Sequence, residues 1–121
     1  MENIKEKIED KVIDFITAEN NGRLIIFKPE NSDKDLVIEK RDDYKNKIIS
    51  LKIYGKEFLN NKSIKKDIKS EKNFYLLFVD FNFVKQNIED DFWFVSALDF
   101  KPILTNKKDF VRFLMEIFEK K

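Results

Sequence analysis

Two runs that alternate between apolar and polar residues, with only five residues between them, constrain the fold of this chain more than any other feature. The runs span residues 35–41 and 47–54. In a β-strand every second side chain lies on the same face, so this alternation is typical of half-buried strands. In the second run the apolar side chains share one face, whereas Ser50 and Lys52 share the other. The pattern predicts two neighbouring strands in one sheet.

Length and composition limit the number of domains and the class of protein. The 121 residues are enough for one domain with a substantial core but too few for two, so we expect a single domain over residues 1–121. Hydrophobic residues make up 42% and charged residues 39%, with only two glycines and two prolines. This composition is typical of a folded protein rich in regular structure. Thirteen phenylalanines predict an aromatic core.

The residue types that the chain lacks exclude several kinds of chemistry. There is no cysteine and no histidine. Disulfides, thiolate metal sites and His-dependent nucleophilic catalysis are therefore excluded, and acid–base chemistry is left to carboxylates, lysine or tyrosine. No apolar run reaches membrane-spanning length, and the N-terminus is too charged for a secretory signal. We therefore expect a cytoplasmic protein that does not bind a membrane.

Helix and strand signals follow one another in a definite order. Asn3 and Asn106 each precede a helical apolar stripe and have an acidic residue three positions later, a capping box that marks a helix N-terminus. A lysine-rich stretch from Ser63 has two isoleucines four residues apart and predicts a short helix. The predicted strands begin at Arg23, Leu36, Lys47, Phe74 and Phe92.

These elements predict an α/β (α+β) fold in which one mixed β-sheet of about five strands is flanked by an N-terminal and a C-terminal helix. Residues 74–81 are too continuously apolar for a half-solvated strand, so we expect a central strand covered on both faces. The polar residues 85–91 predict a loop. The predicted core comprises Ile8, Val12, Phe15, Ile49, Leu51, Leu76, Phe78, Phe110, Leu114 and Ile117.

Charge is unevenly distributed along the chain. Residues 40–72 contain eleven Lys or Arg against five Asp or Glu, whereas in residues 73–100 a single lysine opposes five carboxylates. One interpretation of the basic segment is a surface that faces nucleic acid. A solvated basic face is the alternative, and it is favoured because only three of the 24 basic residues are arginines.

Asp35 at the start of one strand and Lys52 in the adjacent strand form the skeleton of a metal-dependent phosphodiester-cleaving site. With the order helix, three strands, helix, strand, these residues make the chain resemble the PD-(D/E)XK nuclease superfamily over most of its length. The resemblance implies a restriction-endonuclease-like fold, with Asp35 as a metal ligand and Lys52 as the catalytic lysine. It also implies a carboxylate from the first helix, where Glu9 is the best match and Glu6 and Glu19 are alternatives.

Ser50 departs from the family pattern, because it stands where a second acidic or amide ligand belongs. The resemblance implies catalytic roles for Asp35, Lys52 and Glu9, and Mg²⁺ ligation by Asp35 and Glu9. Since a neutral hydroxyl replaces a charged ligand, we expect weak Mg²⁺ binding. The predicted function is that of a small nuclease-like domain with a weakened, metal-dependent site for cleaving nucleic acid. A catalytically silent nuclease-like domain and an unrelated α/β protein-interaction module are the alternatives.

Each candidate residue also has a purely structural interpretation. Asp35 is a common residue at the end of a turn, and the aliphatic stem of Lys52 can cover apolar surface while its ammonium reaches water. Glu9 can be a solvated helix residue that is paired with Lys5 or with neighbours on the Lys11 side.

An aromatic cluster is the second candidate for function. Phe92, Trp93 and Phe94 follow two aspartates, and Phe81 and Phe83 precede the same segment. Platforms that stack nucleic-acid bases interleave aromatic with basic residues, so the acidic sequence neighbours argue against that role. Most of these rings belong in the core. Because Trp93 faces away from its two neighbours, any uncovered side of this strand would suit a protein partner or a homodimer.

Overall fold

The computed structural model describes residues 3–41 and 47–120. The predicted connection at residues 42–46 lies outside the described residues. The three α-helices are α1 (Ile4–Asn20), α2 (Lys62–Asp67) and α3 (Lys107–Glu119). The first four strands are β1 (Leu24–Phe27), β2 (Leu36–Lys40), β3 (Ile48–Gly55) and β4 (Phe74–Val79). The others are β5 (Phe81–Asn82), β6 (Asn87–Ile88), β7 (Asp91–Ser96) and β8 (Ile103–Asn106).

Six strands form one mixed sheet in the order β1-β2-β3-β4-β7-β8. The pair β3 and β4 is parallel, with α2 in the connection between them, and the other neighbours in this sheet are antiparallel. The two alternating runs are confirmed as adjacent strands, because Leu36 pairs with Leu51 and Ile38 with Ile49. The α/β fold class, with a mixed sheet flanked by an N-terminal and a C-terminal helix, is also confirmed.

Both predicted capping boxes begin helices. The side chain of Asn3 accepts a hydrogen bond from the Glu6 amide at 2.8 Å, and that of Asn106 accepts one from the Asp109 amide at 2.8 Å. Each contact satisfies an amide that has no partner within its helix. The first helix ends at Asn21, whose φ of 56° lies in the left-handed region where asparagine and glycine are favoured at helix ends.

The sheet is covered on both faces. Helices α1 and α3 pack on one face, where Phe110 contacts the rings of Phe92 and Phe94. A smaller cluster on the other face includes Phe74, Leu76 and Phe78 of β4 together with side chains from the α2 segment. The central strand β4 is therefore covered on both faces, as its continuous apolar run predicts. The predicted core residues are buried apart from Ile8, which is half-buried against the first cluster.

The sheet has one strand more than the five predicted. Strand β8 was not predicted, because its sequence does not alternate between apolar and polar residues. Its two apolar residues, Ile103 and Leu104, are adjacent, and both are exposed. It forms as an edge strand by pairing with β7, for example Leu104 with Trp93. Strand β7 is thus internal, and Trp93 packs against the second cluster and is half-buried. The side of β7 that was expected to need cover is therefore covered.

The predicted loop at residues 85–91 was wrong in part, because β6 lies within it and pairs with β5 in a short antiparallel ribbon, and β7 begins at Asp91. The Asn82 side-chain oxygen Oδ1 accepts hydrogen bonds from the backbone amides of Val84 and Lys85 at 2.9 and 3.0 Å. Gln86 adopts a φ of 53° in the same turn. Contacts of this kind, made by a short polar side chain with the following backbone, fold a turn without any apolar pattern.

No helix in the described part of the chain is long and apolar enough to cross a membrane.

Candidate functional site

The end of the β2–β3 ladder holds Asp35 in a fixed position. The Asp35 amide donates to the Leu51 carbonyl at 2.9 Å, and Asp35 Oδ2 accepts from the Ile53 amide at 2.7 Å. The side chain of Asp35 is only 10% exposed. The carboxylate therefore has a defined orientation at the start of β2.

The second oxygen of Asp35 is bound by a lysine from the first turn of α1. Lys5 Nζ lies 3.0 Å from Asp35 Oδ1, so both carboxylate oxygens have partners. The lysine is largely exposed, whereas the carboxylate is not. The Lys5 ammonium therefore supplies a positive charge at the position where the resemblance implies a metal ion. No motif singled out Lys5 as part of a site.

Glu9 lies one helical turn after Lys5, and the residue is only 8% exposed. Burial raises the pKa of Glu9, and the negative charge of Asp35 raises it further. Lys28 acts in the opposite direction, with its Nζ 3.7 Å from Glu9 Oε1. The alternative interpretation of Glu9 as a solvated residue paired with Lys5 or with neighbours on the Lys11 side is wrong, because Glu9 is buried and pairs with Lys28, whereas Lys5 pairs with Asp35.

The other carboxylates considered for the helix position differ from Glu9. Glu6 and Glu19 are both exposed on α1. Glu19 lies near the opposite end of the helix, beside Arg23 and Arg112 in a separate surface depression. Glu9 is thus the buried carboxylate of the three, and its pKa is the one that Asp35 raises.

Lys52 lies on the face of β3 opposite to the side chains that contact α1. It pairs in register with Leu76 of β4 and is half-buried. Its ammonium forms no ion pair with Asp35 or Glu9, and lies 6.0 Å from the Tyr54 ring centroid. The structure therefore brings Glu9 and Asp35 together through α1, whereas Lys52 approaches the same end of the sheet from its other face.

Ser50 shares the face of Lys52 and is half-buried in the middle of the sheet. Its register partners are Val37 on β2 and Phe74 on β4. Lys34 Nζ lies 4.1 Å from the centroid of the Phe74 ring, which places a further cation near this position. Lys34 also pairs with Glu71 at 3.4 Å.

Carboxylates at this site form a pair rather than a larger group. Among the described residues, no three acidic side chains come together in an arrangement that could hold a metal ion. The pair consists of Asp35 from the start of β2 and Glu9 from α1. Two carboxylates are suitable Mg²⁺ ligands, because the ion commonly binds one or two carboxylates and completes its coordination with water and phosphate.

A cleft of about 450 Å³ opens beside the carboxylate pair, at the carboxyl ends of the parallel strands β3 and β4. Lys5 and Lys52 both line it, so it connects the two faces from which the candidate residues approach. Four aromatic residues also line the cleft: Tyr54, Phe58, Phe81 and Phe83. Clefts at the carboxyl ends of parallel strands are frequent ligand sites.

Comparison with known proteins does not place the chain in a family. No family model matches the sequence, and neither the curated proteins nor the solved structures contain a significant match. Functional conclusions therefore depend on the geometry of Lys5, Glu9, Asp35 and the adjoining cleft.

Proposed function

We propose that this protein is a nuclease-like domain with a degenerate cation site, at which Asp35 and Glu9 bind a divalent cation weakly and Lys5 competes with it. The supporting observation is the environment of Asp35. Its carboxylate is oriented by the Ile53 amide at 2.7 Å, lies beside the buried Glu9 and is paired with Lys5 at 3.0 Å. This is an anionic site that a positive charge already occupies in part.

The donor set fits a weakly held Mg²⁺ or Mn²⁺ ion. Asp35 and Glu9 would hold the ion, and Ser50 contributes no charge at the position where the family has a third ligand. A bound divalent ion polarises a phosphate and lowers the pKa of water. Lys52 lines the adjoining cleft, where its ammonium can balance the negative charge of a phosphodiester. Cleavage at this site is expected to be slow and dependent on added metal.

The order of elements also supports the proposal. The resemblance to the PD-(D/E)XK nucleases depends on a helix, three strands, a helix and a strand, and this is the order of α1, β1, β2, β3, α2 and β4. Asp35 stands directly before β2 and Lys52 lies within β3.

A catalytically silent domain is the second candidate, and the Lys5–Asp35 ion pair favours it. An ammonium that neutralises the carboxylate removes the need for a metal ion to keep the fold stable. Such a domain would still bind nucleic acid through its lysines.

A role in protein interaction is supported by the exposed Ile103 and Leu104 on the edge strand β8, since unprotected edges can pair with other chains.

A cleavage assay distinguishes these functions. Labelled single-stranded and double-stranded DNA and RNA are incubated with Mg²⁺, Mn²⁺ or EDTA, using the wild type and Asp35→Asn. Asp33→Asn is the matched control, since it removes an exposed carboxylate two positions away. Metal-dependent cleavage that Asp35→Asn abolishes and Asp33→Asn retains supports the nuclease. Metal binding at Asp35 without cleavage supports the silent domain, and absence of both overturns the proposal.

A further inference from the structure

The cleft at the ends of β3 and β4 presents aromatic rings to solvent at its rim. Phe83 is 67% exposed and Phe58 is 42% exposed, although neither position is required to fill the core. The Phe81 and Phe83 rings meet edge to face with centroids 5.2 Å apart, and most of Phe83 remains exposed. Exposed rings at the mouth of a concave site are suited to stacking against a planar ligand.

Two lysines and two carboxylates line the same cleft. Lys5 and Lys52 both line it, and neither forms an ion pair with Glu57 or Asp80, the two carboxylates in the lining. Residues 73–100, which include Phe83, carry an excess of carboxylates, and this argued against base stacking. In space, however, two lysines from α1 and β3 share its cleft. Aromatic and basic residues are thus interleaved by the fold rather than by the sequence.

The size and chemistry of the cleft match a single nucleotide. A volume of about 450 Å³ falls within the range of small-ligand sites and accommodates a base with its sugar. The two lysines suit a phosphate, and the rings suit a base. Glu57 and Asp80 carry the wrong charge for a phosphate, but carboxylates accept hydrogen bonds from the amino groups of bases. A base inside a duplex exposes neither face to such rings, since both are stacked on its neighbours.

We propose that this cleft binds an unpaired nucleotide of single-stranded nucleic acid, with the base stacked against Phe83 and Phe58 and the phosphate held by Lys5 and Lys52. The inference builds on the proposed function, because it assigns the ligand class of the same site. Lys5 connects the two, since it lines the cleft and also binds Asp35. The phosphate would thereby lie next to the carboxylate pair.

Fluorescence anisotropy of a labelled oligonucleotide tests the proposal. The same sequence is titrated as a single strand and as a duplex, in EDTA, so that binding does not depend on a metal ion. Phe83→Ala should weaken single-strand binding by about tenfold, the loss expected when one stacking ring is removed. Val84→Ala is the matched control, because Val84 is 95% exposed on the same turn and does not line the cleft.

Lys52→Gln provides a second, independent variant. It should weaken binding and reduce the dependence of affinity on salt concentration, because one phosphate contact is lost. Circular dichroism of each variant checks that the fold is retained, and Phe58→Ala serves in place of Phe83→Ala if the latter is unfolded. Equal affinity for duplex and single strand, or equal effects of Phe83→Ala and Val84→Ala, would overturn the inference.

The two proposals fail in distinguishable ways. Asp35→Asn in EDTA frees Lys5 from its ion pair, so single-strand binding should be retained or strengthened, and Phe83→Ala should weaken it by the same factor in this background. If binding depends on Phe83 but no metal-dependent effect of Asp35 is found, the cation site is refuted and the nucleotide cleft is supported. If Asp35-dependent cleavage is found without any effect of Phe83→Ala, the cleft is refuted and the nuclease is supported.

Discussion

Lys5 Nζ lies 3.0 Å from Asp35 Oδ1, and this ion pair joins the first turn of α1 to the start of β2. The other carboxylate oxygen is bound to the Ile53 amide. The Lys5 ammonium and the Ile53 amide, which orient Asp35, are therefore bound to the same two carboxylate oxygens that would bind a cation. Neutralisation by lysine and ligation of a metal ion are competing uses of one carboxylate, and the predictions below separate them.

Removal of Lys5 is expected to improve cation binding. Lys5→Gln frees Asp35 Oδ1 and removes a positive charge next to the carboxylate pair, so Mn²⁺ affinity should rise by about two- to fivefold, the range of a partly exposed ion pair. Isothermal titration calorimetry measures the change. Lys7→Gln carries the same charge difference on α1 and should have little effect. Equal affinities for Lys5→Gln and wild type would mean that Lys5 does not compete with the cation.

Asp35 is expected to stabilise the fold through the Ile53 amide. Asp35→Ala leaves this part-buried amide without its acceptor and should lower the free energy of unfolding by about 1–3 kcal/mol. Asp35→Asn retains an acceptor oxygen and should cost less. Urea denaturation of the two variants measures the difference, with Asp33→Ala as an exposed control. A loss that is the same for alanine and asparagine would show that charge rather than the hydrogen bond determines the effect.

The raised pKa of Glu9 predicts a pH dependence of stability. Burial first, and Asp35 second, raise the pKa of Glu9 above its ordinary 4.5, so folding favours the protonated form. The ionised side chain therefore costs stability as the pH rises from 4.5 through the folded-state pKa. Glu9→Gln should be more stable than the wild type at pH 7, and the difference should diminish as the pH falls towards 4.5.

Thermal unfolding across this pH range tests the Glu9 prediction. Asp14→Asn, at an exposed position on the same helix, should give no comparable trend. A gain for Glu9→Gln that is constant with pH would contradict the assignment, because a titrating group must produce a change with pH.

Ser50→Glu tests whether position 50 is the vacant ligand position. The new carboxylate would lie half-buried on the face of Lys52, so the variant should be destabilised in EDTA and recover stability when Mg²⁺ is added. Cleavage of DNA or RNA, dependent on Asp35 and Lys52, would support the assignment further. Ser50→Gln has almost the same size without the charge. If Mg²⁺ shifts the melting temperatures of both variants equally, position 50 does not face a cation site.

The fold could be predicted largely because its strongest signals are local. Alternation specified β2 and β3, and the asparagine caps specified the starts of α1 and α3. Strand β8 could not be predicted, since Ile103 and Leu104 are both exposed and the strand exists only through its pairing with β7. Edge strands of this kind are determined by a neighbour and not by their own periodicity.

The candidate site was predictable only in part. Asp35 and Glu9 were named through the resemblance, and the structure connects them through α1, whose Lys5 pairs with Asp35 and whose buried Glu9 lies one turn later. Lys5 was missed as a partner of Asp35, although its position one turn before Glu9 on α1 was a usable signal. The cleft was missed because Phe83 and Lys52 are far apart in sequence, and the short ribbon that carries Phe83 follows from local hydrogen bonds of Asn82.

The central claim is that Asp35 is the anchor of a weak cation site, and Mn²⁺ titration of wild type and Asp35→Asn by calorimetry tests it most directly. We expect wild-type binding weaker than about 10⁻⁴ M, in the range of low-affinity oxygen-ligand sites, and no measurable binding for Asp35→Asn. Asp33→Asn should bind as the wild type does. Tight binding that persists in Asp35→Asn would contradict the account, because the ligands would then lie elsewhere in the protein.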